Sequence, residues 1–450
     1  MIQNQLDTKQ YRLNSLTIFF IYISVFINSY VFFKSPFEFY VGYLIYIVLL
    51  PGFIRRYGFN GSLFFIFLTL FVTGLVNVFL GNNTTDLFFK VFTGLTLSYF
   101  FYYYVVLEFN FNIEQLFKWY LTGAYIASVL GVYQLICYRL GFEWGYRFGY
   151  IFNKWGISPG GILGLRINSI FAEPTHLAAV LSAAFFVSVY NMFIKEPMYI
   201  SRFRSVVIMA VYILSFSGLG QSGIFLTLLL LAVNFGLVRY LAVAVPVGIV
   251  LFNVMYNNVS EFKGRLDGLV DLFSGREFQI GKIHGSSFIL YNNYVVAMKN
   301  FSTNFAFGTG IGSHPVAFDK FSMAKDIKTY GFNQNGADAN SMLLRLISET
   351  GIFGVTIILV IIIKGYVRRD PGNESYHWLI SNAILVMILL NLFRQGHYFL
   401  NGFPFFVILY YFNNINYKKY LESKHLADVP DDLIDGSKEK ELRTDIALQK

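Results

Sequence analysis

The feature that most constrains this chain is a series of long segments that contain no charged side chain. The first, LTIFFIYISVFINSYVFF, occupies residues 16–33 and is almost entirely apolar and aromatic. A helix that spans a membrane needs about 20 predominantly apolar residues, so a segment of this kind predicts a transmembrane helix. The 450-residue chain is 55% hydrophobic and only 14% charged. This composition excludes a soluble enzyme, a secreted disulfide-bonded domain and a disordered chain.

Uncharged runs bounded by Gly, Asn, Pro or clusters of charge predict twelve membrane spans. The seventh is short and ends in SGLGQSG, and only Arg239 and Tyr240 separate the eighth from the ninth, so a re-entrant pair there would leave ten or eleven spans. We therefore predict an all-α polytopic membrane protein with about twelve transmembrane helices. The predicted spans lie near residues 15–33, 36–54, 62–80, 86–107, 115–138, 170–194, 204–217, 222–238, 240–256, 341–363, 377–393 and 398–416.

The orientation follows from the Lys and Arg residues, because positive charge is retained in cytoplasmic loops. If the N-terminus is cytoplasmic, these residues collect in alternate connections on the cytoplasmic side, and the C-terminus is cytoplasmic too. No small-residue cleavage site follows the first apolar run, which predicts an uncleaved first span. The basic residues on the cytoplasmic side are Lys9, Arg12, Arg55, Arg56, Lys195, Arg202, Arg204, Arg239, Lys364, Arg368, Arg369, Lys418 and Lys419.

The same topology divides the chain into regions. Spans 1–9 occupy residues 1–256, with an outer loop at 139–168, and spans 10–12 occupy residues 341–420. Between them, residues 257–340 form a large extracytoplasmic loop. This loop contains FKGRLDGLVDLF and SSFILYNNYVVAMKNF, whose apolar spacing predicts two short helices on the membrane surface or packed on the bundle. Residues 421–450 are charged and lack apolar periodicity, which predicts a disordered cytoplasmic tail.

Several common sites are absent from the sequence. It has no GxxxxGK[ST] loop, HExxH or CxxC motif, and outside the tail it has no DxD pair of the kind that holds a metal-bound sugar nucleotide. Cys137 is the only cysteine and cannot form an internal disulfide. The net charge of +9 matches the basic loops of a membrane protein and does not indicate nucleic-acid binding. We expect no metal, no cofactor and no nucleic-acid partner.

Ionisable residues concentrate on the predicted outer side. In RINSIFAEPTHL, Arg166 precedes Glu173 and His176, which would share a face of the first turn of the sixth span. Ionisable groups at membrane depth are costly, which favours a functional role. The alternative is a helix N-cap carboxylate beside an interfacial histidine.

A second cluster lies in the large loop. It contains Arg265, Arg276 in SGRE, His284, and the segment GTGIGSHP, which includes His314. Three alternate glycines permit a sharp turn or a close approach of backbone to a ligand, and arginine presents a fork suited to phosphate. The segment follows no predicted Rossmann strand, which argues against a dinucleotide site. Each arginine is equally well explained as a solvated loop charge.

The third and fourth clusters flank the last spans. Asp338, Asn340, Arg345 and Glu349 lie at the entry to the tenth span, in DANSMLLRLISETGIFG. Arg345 and Glu349 are four residues apart, so they can simply neutralise each other. The fourth cluster, Arg394 with His397 in LLNLFRQGHYF, lies between the last two spans. All four clusters therefore converge on one face of the membrane.

In this order, RxNSIFAEPTHLA, SGxGQSG, SGRE, GTGIGS, ANSMLLRLISETGIFG and FRQGHYF resemble the Wzy-type O-antigen and capsular polysaccharide polymerases and the related O-antigen ligases. The resemblance covers about residues 160–412. It implies a metal-independent glycosyltransferase with a GT-C-like membrane fold, which acts on undecaprenyl-diphosphate-linked glycans outside the bacterial cytoplasmic membrane. Ligases and many of their relatives place a His immediately before the Asn of the tenth-span motif, where this chain has Ala339 before Asn340. This departure favours a polymerase and leaves the base unassigned.

The resemblance and the chemistry of transfer from a diphosphate together suggest roles. Glu173 is the first candidate for the base or for orienting the acceptor, followed by His176 and His314. The predicted contacts to diphosphate, carrier or sugar are Arg166, Arg265, Arg276, Asn340, Arg345, Arg394 and His397.

The expected partners are the lipid-linked glycan as donor and acceptor, membrane lipid, and a chain-length regulator and flippase acting on the same glycan. The alternatives are an O-antigen ligase and a lipid-linked oligosaccharide flippase. Short outer loops are typical of a flippase, and the large loop at residues 257–340 argues against one.

Overall fold

The computed structural model describes residues 15–33, 38–237, 260–274, 285–323, 334–370 and 375–427, with isolated positions between 246 and 258. Within these ranges the chain is helical, and its only β pairings are isolated bridges. The helices are α1 (Ser15–Phe26), α2 (Val41–Tyr57), α3 (Gly61–Phe79), α4 (Thr85–Glu108), α5 (Ile113–Arg139), α6 (Glu143–Tyr146), α7 (Pro174–Phe193), α8 (Arg202–Leu214), α9 (Gly218–Asn234), α10 (Ser260–Phe273), α11 (Gly285–Thr303), α12 (His314–Phe321), α13 (Met342–Gly365), α14 (His377–Arg394) and α15 (Phe403–Ala427).

Five of the described helices are long and apolar enough to cross a membrane: α3, α5, α7, α13 and α14. Two shorter helices, α1 and α9, are also apolar. These helices confirm the class of the prediction, a helical membrane protein. They do not establish the predicted number of spans.

Helices α7 and α14 form the centre of the bundle. Both are mostly buried, they pack on each other, and α8, α9 and α15 surround them. The α7 sequence PTHLAAVLSAAFFVSV is rich in Ala and Ser. Small side chains let helices approach closely in a membrane, where packing contacts replace the hydrophobic driving force.

Every predicted span except the ninth overlaps one of these helices, and the ninth lies mostly outside the described residues. Three boundaries differ. Helix α1 ends at Phe26, because the chain then turns to form a bridge between Val31 and Tyr40. Helix α15 continues to Ala427, so the first residues of the predicted disordered tail are helical.

The third difference concerns SGLGQSG, which was expected to break the chain between two spans. It instead forms the first turns of α9, capped by Ser217, whose side chain accepts a hydrogen bond from the amide of Gly220. A Cβ at Gly223 would overlap the hydroxyl of Tyr212. Gly223 on α9 therefore leaves room for the Tyr212 side chain of α8.

The two helices predicted in the large loop are present as α10 and α11, and α12 follows them. Helix α11 packs on α13, where the side chain of Asn300 donates to both oxygens of Ser348 at 2.9 Å. Helix α10 contacts α11 through the ring of Phe273, which lies 5.0 Å from that of Tyr291. The described part of the loop is thus packed onto the bundle.

Candidate active site

At one end of the bundle, an aspartate and a histidine from different segments are in direct contact. The Nε2 atom of His397, between α14 and α15, lies 3.0 Å from Oδ2 of Asp338, which precedes α13. The side chains are 30% and 18% exposed, so the pair is partly buried but within reach of a ligand. Burial raises the pKa of Asp338. The interaction with His397 and the hydrogen bond from the amide of Asn340 lower it by a larger amount, so the pKa lies well below its ordinary value.

This geometry prepares His397 to accept a proton. A carboxylate that accepts the Nε2–H of an imidazole fixes the tautomer in which Nδ1 carries the lone pair. Within the described residues nothing donates a hydrogen bond to Nδ1 of His397. An aspartate that orients a histidine in this way is the arrangement of many general bases.

A strained turn holds Asp338. Its Oδ1 accepts a hydrogen bond from the amide of Asn340 at 3.0 Å, and both Ala339 and Asn340 are left-handed, with φ of 59° and 54°. Non-glycine residues retain this conformation only where the surrounding structure enforces it. Gly396 packs against the turn so closely that a Cβ there would overlap the carbonyl oxygen of Asp338. The segment that carries His397 can therefore reach Asp338 only with glycine at 396.

A second imidazole comes from the start of α7. The ring centre of His176 lies 6.4 Å from that of His397, with the ring planes 83° apart. Pro174 occupies the first turn of α7, where it is tolerated. Glu173 is the N-cap residue, but its carboxylate is exposed and makes no capping hydrogen bond. The interpretation of Glu173 as a capping carboxylate is therefore wrong.

Further charges come from the connection between α1 and α2 and from the first long loop predicted on the outer side. The Nζ atom of Lys154 lies 2.7 Å from Oε1 of Glu38 and donates to the hydroxyl of Tyr40 at 3.1 Å. Burial raises the pKa of Glu38, but the hydrogen bonds from Lys154 and Tyr40 lower it below its ordinary value. Tyr40 lies within electrostatic reach of Asp338, and Lys154 within reach of His176. Segments far apart in sequence thus meet at one cluster.

Two of the predicted arginines remain available to bind an anion. The Nε atom of Arg166 lies 3.5 Å from the carbonyl oxygen of Ser215, which is too long for a strong hydrogen bond, and the residue is partly exposed. Arg394 lies partly buried in the last turn of α14, and no described carboxylate forms an ion pair with it. A partly buried cation without a counter-charge favours an anionic ligand.

Arg345 is placed differently. Its Nε lies 2.8 Å from Oε1 of Glu349, and the two side chains are 4% and 0% exposed. The sequence left open whether these residues neutralise each other, and the structure shows that they do. Arg345 is therefore not exposed for contact with a diphosphate.

The glycine-rich segment GTGIGS surrounds the protein's own carboxylate. The amides of Gly312 and His314 donate to the carboxylate of Glu349 at 2.8 and 3.2 Å, and the amide of Gly310 donates to its carbonyl oxygen at 2.8 Å. A Cβ at Gly308 would overlap the backbone of α13, and one at Gly312 the backbone of α4. The sequence predicted that the backbone of these glycines approaches a ligand. It instead approaches neighbouring helices, and the Glu349 carboxylate takes the place that a bound anion would occupy.

His314 lies within electrostatic reach of Asp338, but among the described residues it forms no hydrogen bond with Asp338 or His397. It is fully buried, and its Nε2 lies 3.0 Å from Oδ1 of Asn293. The amide nitrogen of Asn293 already donates to two carbonyl groups, so Oδ1 accepts and Nε2 carries the proton. Burial lowers the pKa of His314 to about 3. This neutral imidazole lies away from the protein surface, which argues against its predicted catalytic role.

The remaining predicted residues divide into two groups. Asn340 lies at the cluster, in the turn that holds Asp338. Arg276 and His284 lie outside the described residues, as does the side chain of Arg265. Their predicted roles stay predictions.

Asp338, Glu38 and Lys154 were not predicted to act in the site. Asp338 had one usable signal, because an aspartate side chain often accepts a hydrogen bond from the amide two residues further along the chain. Glu38 and Lys154 had none, since each lies in an unremarkable connection and they meet only through tertiary packing. Among the described residues no group of three or more His, Cys, Asp or Glu side chains is placed to hold a metal ion.

No protein-family model matches the chain, and no curated protein matches it either. The function is therefore inferred from the site geometry and from the motifs in the sequence.

Proposed function

We propose that this protein is a membrane glycosyltransferase that polymerises polysaccharide repeat units carried on undecaprenyl diphosphate. In this proposal about twelve spans in a GT-C-like arrangement place the site at the outer face of the bacterial cytoplasmic membrane. The observation that carries the proposal is the contact of 3.0 Å between Asp338 and His397, which joins two of the four clusters predicted to lie on one face of the membrane. His176 and the exposed Glu173 lie at the same end of the bundle.

The reaction assigned to this site is a substitution at the anomeric carbon of the donor sugar. A hydroxyl oxygen of the acceptor glycan forms the new bond to that carbon as the bond to the diphosphate oxygen breaks. The diphosphate leaves with the electron pair, and Nδ1 of His397 takes the hydroxyl proton. Arg394 and Arg166 are the described cations available to stabilise the negative charge that develops on the diphosphate.

The base is the point at which this chain departs from the ligases it resembles. The resemblance implies a histidine at position 339, where this chain has a fully buried alanine. His397 supplies an imidazole to the neighbouring Asp338 from a different segment. We propose that it replaces the base implied by the resemblance.

Removing the protein from its native cell tests the class of activity. Loss of the polymer ladder, with a single repeat unit still displayed at the surface, identifies a polymerase. Loss of all displayed glycan while lipid-linked polymer accumulates identifies a ligase. Accumulation of lipid-linked single units inside the cell identifies a flippase, and either of the last two results contradicts the proposal.

Two substitutions distinguish the candidate bases. His397→Gln and Glu173→Gln each preserve approximate size and remove proton acceptance. We expect His397→Gln to abolish turnover while donor binding persists, and Glu173→Gln to have the smaller effect, because the Glu173 carboxylate is exposed and makes no capping hydrogen bond that would orient it. The reverse order of activities would return Glu173 to first place.

A further inference from the structure

We propose that Arg345 and Glu349 are positioning residues for His397 and that they hold it through its two neighbours in the chain. The inference rests on the proposed role of His397 as the base. It assigns to the buried ion pair a task other than the diphosphate contact expected for Arg345 from the sequence.

Both neighbours of His397 are bound to this pair. On one side, Nη1 of Arg345 donates to the carbonyl oxygen of Gly396 at 2.8 Å. On the other side, the guanidinium carbon of Arg345 lies 4.5 Å from the ring centre of Tyr398. The hydroxyl of Tyr398 donates to Oε2 of Glu349 at 3.0 Å. The carbonyl group before His397 and the side chain after it are therefore both held by this pair, while the imidazole remains partly exposed and contacts Asp338.

Glu349 ties this arrangement to the rest of the protein. Its carboxylate accepts hydrogen bonds from Arg345, from Tyr398 and from the amides of Gly312 and His314. Replacing a buried ion pair with apolar side chains is often neutral for stability, so stability alone does not account for this pair. What apolar side chains would not supply is the defined placement of the segment from Gly396 to Tyr398.

The contacts of residue 345 require an arginine, and another cationic side chain could not make all of them. Arg345 uses Nε toward Glu349, Nη1 toward Gly396 and the flat face of its guanidinium toward Tyr398. A lysine ammonium is a single point charge without a planar fork, so it can replace only part of this set. Arg345→Lys therefore keeps the charge and loosens the segment that carries His397.

The test compares Arg345→Lys with Arg56→Lys in the full-length protein in membranes. Arg56 pairs with Glu108, whose side chain is fully buried. Arg56 lies in the last turn of α2. The first residue of α2 directly follows Tyr40, which belongs to the site, so the Arg56–Glu108 pair lies at the opposite end of the bundle. Mass spectrometry follows modification of His397 by diethyl pyrocarbonate, and kinetics on a lipid-linked repeat unit give kcat and KM.

We expect Arg345→Lys to increase the modification rate of His397 several-fold and to lower kcat by roughly tenfold or more, with KM within about twofold of the wild-type value. Arg56→Lys should change neither measurement. Tyr398→Phe keeps the ring but removes the hydroxyl bond to Glu349, and should give a smaller change in the same direction. If Arg345→Lys does not accumulate in the membrane, Tyr398→Phe carries both measurements.

The outcomes separate this inference from the proposed function. Unchanged modification and unchanged kcat in the Arg345 and Tyr398 variants would overturn the positioning role. So would a raised KM with unchanged kcat, which would mean that Arg345 contacts substrate, or equal losses in Arg56→Lys, which would mean general destabilisation. Faster modification of His397 with full activity would support the positioning role and remove His397 as the base.

Discussion

The Nε2 atom of His397 and Oδ2 of Asp338 lie 3.0 Å apart, although α13 and α14 separate the two residues in the chain. The pair joins the entry of one predicted span to the exit of another. It brings a carboxylate and an imidazole to the same end of the bundle as His176. A site that depends on such a contact is sensitive both to the chemistry of the pair and to the packing that brings the two segments together.

Asp338→Asn should lower turnover by about 10²-fold to 10⁴-fold, because an amide no longer holds His397 in the tautomer that accepts a proton at Nδ1. The measurement is the rate of polymer formation from lipid-linked repeat units, normalised to protein level. Asp319→Asn is the control, since Asp319 is an exposed carboxylate on α12. Equal activity of Asp338→Asn and wild type would show that the pair has no catalytic role.

Arg394→Lys should impair activity nearly as much as Arg394→Ala, because lysine keeps the charge but cannot bind two diphosphate oxygens through a planar fork. Steady-state kinetics at equal protein level are the measurement. Arg139→Lys provides the control, since Arg139 is an exposed residue in the last turn of α5. Full activity in Arg394→Lys would mean that charge alone suffices there.

The stability that the Asp338 carboxylate contributes should disappear in acid. Its pKa in the folded protein is lower than its ordinary value of 3.8, so the contribution is complete above that pH and is lost as the pH falls toward the folded value. Thermal unfolding of detergent-solubilised wild type and Asp338→Asn between about pH 6 and pH 3 measures this. The difference in Tm should be constant at the upper end and shrink below 3.8. A difference that grows in acid would contradict the lowered pKa.

Gly396→Ala should destabilise the protein by about 1–3 kcal/mol and reduce activity, because the added methyl group overlaps the carbonyl oxygen of Asp338 and displaces the segment that carries His397. Gly264→Ala is the matched control. Gly264 lies inside α10, and nothing in the part of the chain that the structure describes comes within 4 Å of a Cβ there. That change should stabilise the helix by about 0.5–1 kcal/mol. Tm and activity of the two variants together test the close contact.

The orientation predicts which positions an impermeant reagent can reach. A cysteine at Ser302, exposed on α11, should react with a membrane-impermeant thiol reagent added outside intact cells. A cysteine at Glu196, exposed between α7 and α8, should react only after the membrane is opened. Cys137 is buried and supplies the unreactive background. Labelling of Glu196→Cys alone in intact cells would reverse the topology.

The sequence by itself predicted the class of fold and most of the helix positions. Uncharged runs of membrane length have few structural options, because backbone polar groups in lipid must be hydrogen-bonded within the segment. The helices α10 and α11 were predicted from apolar spacing alone. The ends of the helices were predicted less accurately. SGLGQSG contains residues typical of a turn, yet Ser217 caps a helix here and the residues after it form the start of α9.

The roles of the charged residues were decided by the tertiary structure. The sequence places Arg345, Arg394, His314 and His397 on the outer side alike, and nothing local to each residue distinguishes a buried partner from an exposed one. Packing enclosed Arg345 with Glu349 and buried His314 against Asn293, while it left His397 partly exposed beside Asp338. Spacing along a helix reports which residues share a face. The contacts of that face depend on segments that are distant in the sequence. Here those segments decide which charged residues are buried and support the site and which remain exposed and available to act in it.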